Sequence, residues 1–243
     1  MGFTLPLLPM SAIAGYFVIQ YQLEILDPVI VSEGVCQVGS LGALIAISVL
    51  QTVLYAALCG FFGHILAGKV GLIQPVRFRK KPVLVTLLLS LVGGILFSLD
   101  YWTFGAVIPW VRQAAVDMLT PTAMIAAVLY GGIVEELMMR LFFMSLVAWL
   151  LKLIFCHKQE EVPSWVSVTA NIIAALLFAA GHLPSTVALY GALTFPVILR
   201  CFLLNGAFGL FFGWLFRKYG IQYAMISHAL LHMISKLIWF VFI

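Results

Sequence analysis

The sequence predicts an all-α fold, a polytopic bundle of about seven or eight transmembrane helices. Of the 243 residues, 64% are hydrophobic and 9% are charged, and the mean hydropathy is +1.15. A soluble domain of this length carries about a quarter charged residues. The apolar runs are continuous over about 20 residues, whereas the strands of a membrane barrel alternate apolar and polar positions. We therefore expect a single membrane domain over residues 1–243.

In the first half of the chain, apolar runs predict helices over residues 3–21, 38–67 and 83–110. The segment 22–37 carries three acidic residues and no basic one, which is typical of an external loop. The loop 69–82 holds a cluster of basic residues between two apolar runs, which is the usual mark of a cytoplasmic loop. The first two loops therefore lie on opposite sides of the predicted bundle.

The second half of the chain continues the alternation. A helix is expected to begin at Thr120, as the N-cap, and Pro121, in the first turn. Apolar segments cover residues 121–155, 165–183, 185–200, 205–213 and 222–243. Gly209 and Gly213 form a GxxxG pair, which permits close approach of another helix. The distribution of basic residues places three segments on the cytoplasmic side: 69–82, 152–163 and 217–218. The segments 22–37 and 110–120 are then expected on the external side.

Three charged residues interrupt the apolar helix 121–155. A charge near the bilayer centre costs about 2.5–3.5 kcal/mol, so Glu135, Glu136 and Arg140 need a reason to be there. Glu136 and Arg140 are spaced i,i+4, with the acid on the N-terminal side, which favours an ion pair. That pair leaves Glu135 as the carboxylate without a partner in its own helix. The alternative is a purely structural network of all three charges.

Further polar residues lie in other apolar segments: His182, Asn205, His228 and His232. Together with Glu135 and Glu136 they are the residue types of an acid–base or metal site. His228 and His232 lie on one helix face, as zinc-binding histidines do. A zinc site in which His182 or a glutamate supplies the third ligand therefore remains an alternative. Counted from Trp165, His182 falls near the opposite membrane face. Either its helix starts deeper, or the chain re-enters the membrane around Pro184.

The order and spacing of these residues resemble a known family. Glu135, Glu136 and Arg140 resemble its EExxxR motif, and Phe178 and His182 resemble its FxxxH motif. His228 begins the third motif, which usually ends in Asn or Asp, where this chain has His232. Over residues 120–236 the chain is similar to the CAAX protease and bacteriocin-processing (CPBP, or Abi) intramembrane proteases, which include the type II CAAX prenyl proteases.

The resemblance implies a role for each motif residue. Glu135 would be the general base that activates water, His182 would position that water, and His228 would support the oxyanion with help from residue 232. Glu136, which we also count as catalytic, and Arg140 would shape the site. We further place Phe178, of the second motif, and Asn205, a polar residue of an apolar segment, among the residues that shape it. We favour a metal-independent mechanism without a cofactor; the alternative is zinc held by His182, His228 and His232.

The function that we expect is an intramembrane endopeptidase. Its substrate would be a lipidated, CAAX-like protein tail, prenylated or not, or a small membrane-associated peptide. One alternative is a catalytically altered family member that acts as a membrane scaffold, an immunity protein or a regulator. Another is a transporter or proton relay. The expected partners are the substrate and the lipid bilayer, not nucleic acid, and the expected location is the cell membrane, crossed several times.

Overall fold

The fold consists of ten helices and short turns. The computed structural model describes residues 4–159 and 161–243, and the regular secondary structure there is entirely helical. Residue 3 of the predicted first helix and residue 160 of the predicted loop 152–163 lie outside that description. The helices are α1 (Leu8–Ile25), α2 (Pro28–Val38), α3 (Leu41–Lys69), α4 (Lys80–Ser98), α5 (Pro109–Asp117), α6 (Pro121–Phe155), α7 (Ser164–Gly181), α8 (Leu183–Tyr190), α9 (Phe195–Tyr219) and α10 (Ile221–Phe242).

The chain is an integral, multi-pass membrane protein. Within the described residues, six helices are long and apolar enough to cross a bilayer: α3, α4 with the turns that follow it, α6, α7 with α8, α9 and α10. The predicted number of about seven or eight is therefore not confirmed. The 185–200 segment adds no span of its own, because it is divided between α8 and α9. α1 is not among the six, and its last turns contain Gln20, Gln22 and Glu24.

The start of α6 is as predicted. Thr120 is the N-cap, and its Oγ1 accepts a hydrogen bond from the backbone N–H of Ala123 at 3.1 Å, with Pro121 in the first turn. α6 is not a uniform α-helix, because Ala127–Glu135 and Leu137–Met144 are π-helical. Such wide turns are frequent at functional sites. The first π-helical segment ends at Glu135.

Small residues let the helices approach one another. In the predicted GxxxG pair, Gly209 faces Ala175 and Gly213 faces Asn171, so this side of α9 packs on α7. The Asn171 amide also donates a hydrogen bond to the Leu210 carbonyl at 2.9 Å. Large apolar side chains such as Leu84 on α4 are exposed on the outside of the bundle. This arrangement of small residues between helices and large ones outside is typical of membrane bundles.

A buried ion pair joins the end of α4 to α9. Asp100 is only 2% exposed and accepts hydrogen bonds from Arg200, with an Nη2–Oδ2 distance of 2.6 Å. The Arg200 guanidinium also lies 5.5 Å from the ring centroid of Trp110. Asp100 had no sequence-based explanation, because its partner is 100 residues away along the chain. The pair compensates both charges inside an apolar bundle.

Gly63 marks a close approach of α3 to α6. A Cβ at this position would lie 2.8 Å from the backbone carbonyl of Leu141 and from the N of Phe142. We expect Gly63→Ala to destabilise the protein by about 1–3 kcal/mol, because helix backbone cannot move aside as a flexible side chain can. The measurement is thermal unfolding in mild detergent. Gly68→Ala, in the same helix, is the matched control, since a Cβ there meets nothing within 4 Å.

Candidate active site

Glu136, Arg140 and His228 form a buried network. Glu136 is completely buried, and its Oε1 lies 3.3 Å from Arg140 Nη1, so the ion pair expected from the i,i+4 spacing is present. The same oxygen accepts a hydrogen bond from His228 Nδ1 at 2.8 Å. Arg140 Nη2 donates to the Gly209 carbonyl at 3.3 Å. The network therefore links α6, α9 and α10 and fixes the orientation of the His228 ring.

Glu135 lies between two histidines from different helices. Its Oε1 is 3.9 Å from His182 Nε2, and its Oε2 is 3.8 Å from His228 Nε2. Both separations are too long for a direct hydrogen bond but match the span of a bridging water. The Glu135 side chain is 20% exposed, whereas Glu136 beside it is 0% exposed. Of the two adjacent acids, only Glu135 is open to an incoming molecule.

His182 is held in a defined orientation by the residue one turn before it. Its Nδ1 lies 2.7 Å from the Phe178 carbonyl oxygen, which can only accept, so Nδ1 carries the proton. In a neutral ring, Nε2 is then an acceptor that points at Glu135. The Phe178 ring packs at 4.6 Å from the His182 ring and lies 4.7 Å from the Arg140 guanidinium. Phe178 thus supports both the histidine and the buried network.

His182 lies closer to Glu135 than residue counting suggested. It directly follows α7, and the short helix α8 begins at the next residue. Its Nε2 lies 3.9 Å from Glu135 Oε1, near the middle of the 35-residue α6. The two helices meet in this way because α6 is about twice as long as α7, which has 18 residues. The deeper helix start and the re-entry around Pro184 both stay predictions.

Two glycines of α6 allow α10 to approach the site. A Cβ on Gly131 would lie 3.1 Å from His228 Nε2, and one on Gly132 would lie 3.0 Å from the Ala229 Cβ. Contacts this short would push α10 away from Glu135. The pair Gly131–Gly132 is therefore a requirement of the site geometry and not merely of helix packing.

His232 and Asn205 lie at the edge of this cluster. The His232 ring is 5.1 Å from the His228 ring and 5.7 Å from the Phe97 ring, and its buried Nδ1 has no hydrogen-bond partner among the described residues. The Asn205 amide donates to the Cys201 carbonyl at 3.1 Å. Neither has a hydrogen bond to Glu135 in this structure. Both line the cavity that the cluster faces.

The cavity has a volume of about 640 Å³ and lies between α1, α6, α7, α9 and α10. Polar residues of its wall include Glu135, His182, Arg200, Asn205, His228, His232 and Lys236; apolar ones include Ile25, Phe97, Ala126, Phe178 and Leu204. Sequence reasoning missed Lys236. The available signal was its spacing of four residues after His232, which continues the face begun by His228.

No metal-binding cluster occurs in the part of the chain that the structure describes: no three His, Cys, Asp or Glu side chains there are placed to hold an ion. His182 and His228 each hold Nδ1 in a hydrogen bond, to the Phe178 carbonyl and to Glu136, so Nε2 is the ring atom that each has left for a ligand. The zinc alternative with His182, His228 and His232 stays a prediction, and its test is the effect of a chelator on activity.

Comparison with known proteins identifies one family. Residues 117–234 match the model of the family described as type II CAAX prenyl endopeptidase Rce1-like. The matched region includes Glu135, Glu136, Arg140, His182 and His228, and it ends two residues before Lys236. Neither the curated proteins nor the solved structures yield a significant match.

Proposed function

Residues 117–234 match the model of the type II CAAX prenyl endopeptidase Rce1-like family, and on that premise we propose that this protein is an intramembrane endopeptidase that uses water activated by Glu135. The observation that carries the proposal is the position of Glu135, 3.9 Å from His182 and 3.8 Å from His228, at the wall of a large cavity. The substrate is the C-terminal tail of a lipidated protein or a small membrane-associated peptide.

The first step follows from two acceptors that face each other. Glu135 Oε1 and the unprotonated His182 Nε2 both need a donor, and a water molecule has two. Two hydrogen bonds of about 2.8 Å across this gap meet at an angle of about 90°, which a water accommodates. The water keeps its lone pairs free for the substrate carbonyl carbon. As the new C–O bond forms, Glu135 takes the proton, acting as general base.

The second step requires a donor for the developing oxyanion. His228 donates from Nδ1 to Glu136, and as an imidazolium it also donates from Nε2. We assign Nε2 to the oxyanion, with Glu136 and Arg140 holding the ring in place. When the tetrahedral intermediate collapses, the C–N bond breaks. The leaving nitrogen then takes the proton from Glu135, so no proton is gained or lost overall.

The test is cleavage of a farnesylated peptide by the purified protein in liposomes, with the products identified by mass spectrometry and the reaction repeated with a chelator. We expect a single internal cut and a rate that the chelator leaves unchanged, because every step above uses protein side chains only. A chelator-sensitive reaction restored by zinc would instead support the zinc-dependent protease. Absence of cleavage across prenylated and unprenylated tails would favour a scaffold or regulatory role.

We propose that the basic loops lie on the cytoplasmic side of the membrane, as they usually do in membrane proteins. These loops are 69–82, 152–163 and 217–218. The proposed location is the cell membrane. In this orientation the sequence from Ile221 enters the membrane from the cytoplasmic side, and the catalytic His228 is reached after about two helical turns, roughly 10 Å.

His232 is expected to act as a hydrogen-bond donor that Asn can replace. We predict that His232→Asn keeps cleavage within about 10-fold of the original rate, since the amide retains an N–H donor, whereas His232→Leu loses considerably more. The measurement is the rate of peptide cleavage by each variant. Equal rates for the Asn and Leu variants would show that residue 232 contributes no hydrogen bond to the reaction.

A further inference from the structure

Lys236 is a buried cation in the wall of the same cavity. It lies on α10 and is 3% exposed. A lysine in a membrane helix normally extends its ammonium group toward the water at the interface. Here the ammonium group is instead enclosed within the bundle, so its position calls for a function.

Lys236 has no counter-ion in the described part of the protein. No carboxylate of those residues forms an ion pair with it, and no acceptor receives a hydrogen bond from it. The other strong cation in the cavity wall, Arg200, is already neutralised by Asp100. Because an unpaired charge in an apolar interior is costly, an anionic ligand would complete this environment.

The distance between Lys236 and the reacting groups indicates which anionic group of a ligand Lys236 could bind. His228, His232 and Lys236 follow one another at intervals of four residues, so they share one face of α10. Lys236 lies about 12 Å along the helix from His228. An extended peptide advances about 3.3–3.6 Å per residue, so this length corresponds to about three to four residues. Glu135, the only carboxylate among the described residues of the cavity wall, lies 3.8 Å from His228, at the other end of this interval from Lys236.

We propose that Lys236 binds the free C-terminal carboxylate of the substrate, about three to four residues beyond the bond that is cut. This inference rests on the proposed peptidase function and adds a residue that sets the cleavage position. Binding the chain end at a fixed distance from Glu135 selects tails over internal segments. Lys236 also lies outside the residues that match the family, 117–234.

The experiment measures binding separately from catalysis. Two fluorescent farnesylated peptides of one sequence, ending in a free acid or in an amide, are titrated into the Glu135→Gln protein in detergent, where cleavage does not interfere. With Lys236 present, we expect the acid to bind at least about 10-fold more tightly, since a charge-assisted hydrogen bond is lost with the amide. With Lys236→Met added, the two peptides should bind within about 2-fold of each other.

Lys236→Arg and Lys218→Met are the companion variants. Arginine keeps the charge and should retain part of the preference for the acid, and Lys218, which contacts the Trp214 ring, serves as a matched lysine replacement away from the cavity. Equal binding of acid and amide to the protein that retains Lys236 overturns the inference, whatever the behaviour of the variants. A preference for the acid without any cleavage by the unmodified protein would overturn the peptidase proposal and leave the carboxylate site standing.

Discussion

Replacing Glu135 with glutamine is expected to lower the rate of peptide cleavage by about 1,000-fold, because general-base catalysis contributes about 10²–10⁴. Glutamine has nearly the same shape but cannot take the proton from water. The Glu135 carboxylate is partly exposed to the cavity and has no hydrogen-bond partner within 3.5 Å among the described residues, so the loss should come without unfolding. The measurements are the cleavage rate and the thermal unfolding temperature of the same preparation.

Glu33→Gln is the matched control for this experiment. Glu33 lies on α2, is exposed and does not line the cavity, so its replacement should leave the rate unchanged. If the Glu135→Gln protein retained more than about a tenth of the original rate, a different group would have to activate the water. Loss of activity accompanied by unfolding would mean instead that Glu135 is a structural member of the charge network.

Replacing Arg140 with methionine is expected to have the largest effect on stability. Arg140 and Glu136 are both buried, and their oxygen and nitrogen atoms lie 3.3 Å apart. Removing one partner of a buried ion pair leaves a charge without compensation, which costs about 3–5 kcal/mol. Unfolding in mild detergent, followed with temperature or denaturant, should show this loss. Arg217→Met is the control, since Arg217 makes only a hydrogen bond to Ser167 and should cost about 1 kcal/mol.

Combining Arg140→Met with Glu136→Gln separates stability from chemistry. The double variant buries no unpaired charge, and replacing both members of a buried pair is often close to neutral, so most of the lost stability should return. Cleavage should remain impaired, because His228 Nδ1 then faces a neutral amide in place of a carboxylate. Recovery of full activity in the double variant would contradict the assignment of Glu136 to holding His228.

The sequence predicted contacts within one helix well. The Glu136–Arg140 pair and the shared face of His228 and His232 follow from helical spacing alone, and both are present. The meeting of α6, α7 and α10 at one site was expected only through the resemblance of three motifs to a family. Periodicity along the chain holds no information on which helices become neighbours.

Other features had little or no local signal. The π-helical turns of α6 change which side chains face the cavity, and neither apolar periodicity nor a capping residue predicts them. The Asp100–Arg200 pair joins residues 100 positions apart, so each looked like an isolated charge. The predicted number of spans is not confirmed for a related reason: apolar character does not distinguish a short helix such as α8, which leads on from α7, from a separate crossing.

The two buried ion pairs differ in when they become available during biosynthesis. Glu136 and Arg140 leave the ribosome four residues apart and can enter the membrane already paired within a single helix. Asp100 has to wait for Arg200, and at 5–20 residues per second the intervening chain takes about 5–20 s to synthesise. During that interval α4 carries an acid whose partner does not yet exist. The last helices are therefore needed to complete the first half of the bundle as well as the active site, and a chain truncated before α9 would be a natural target for membrane quality control.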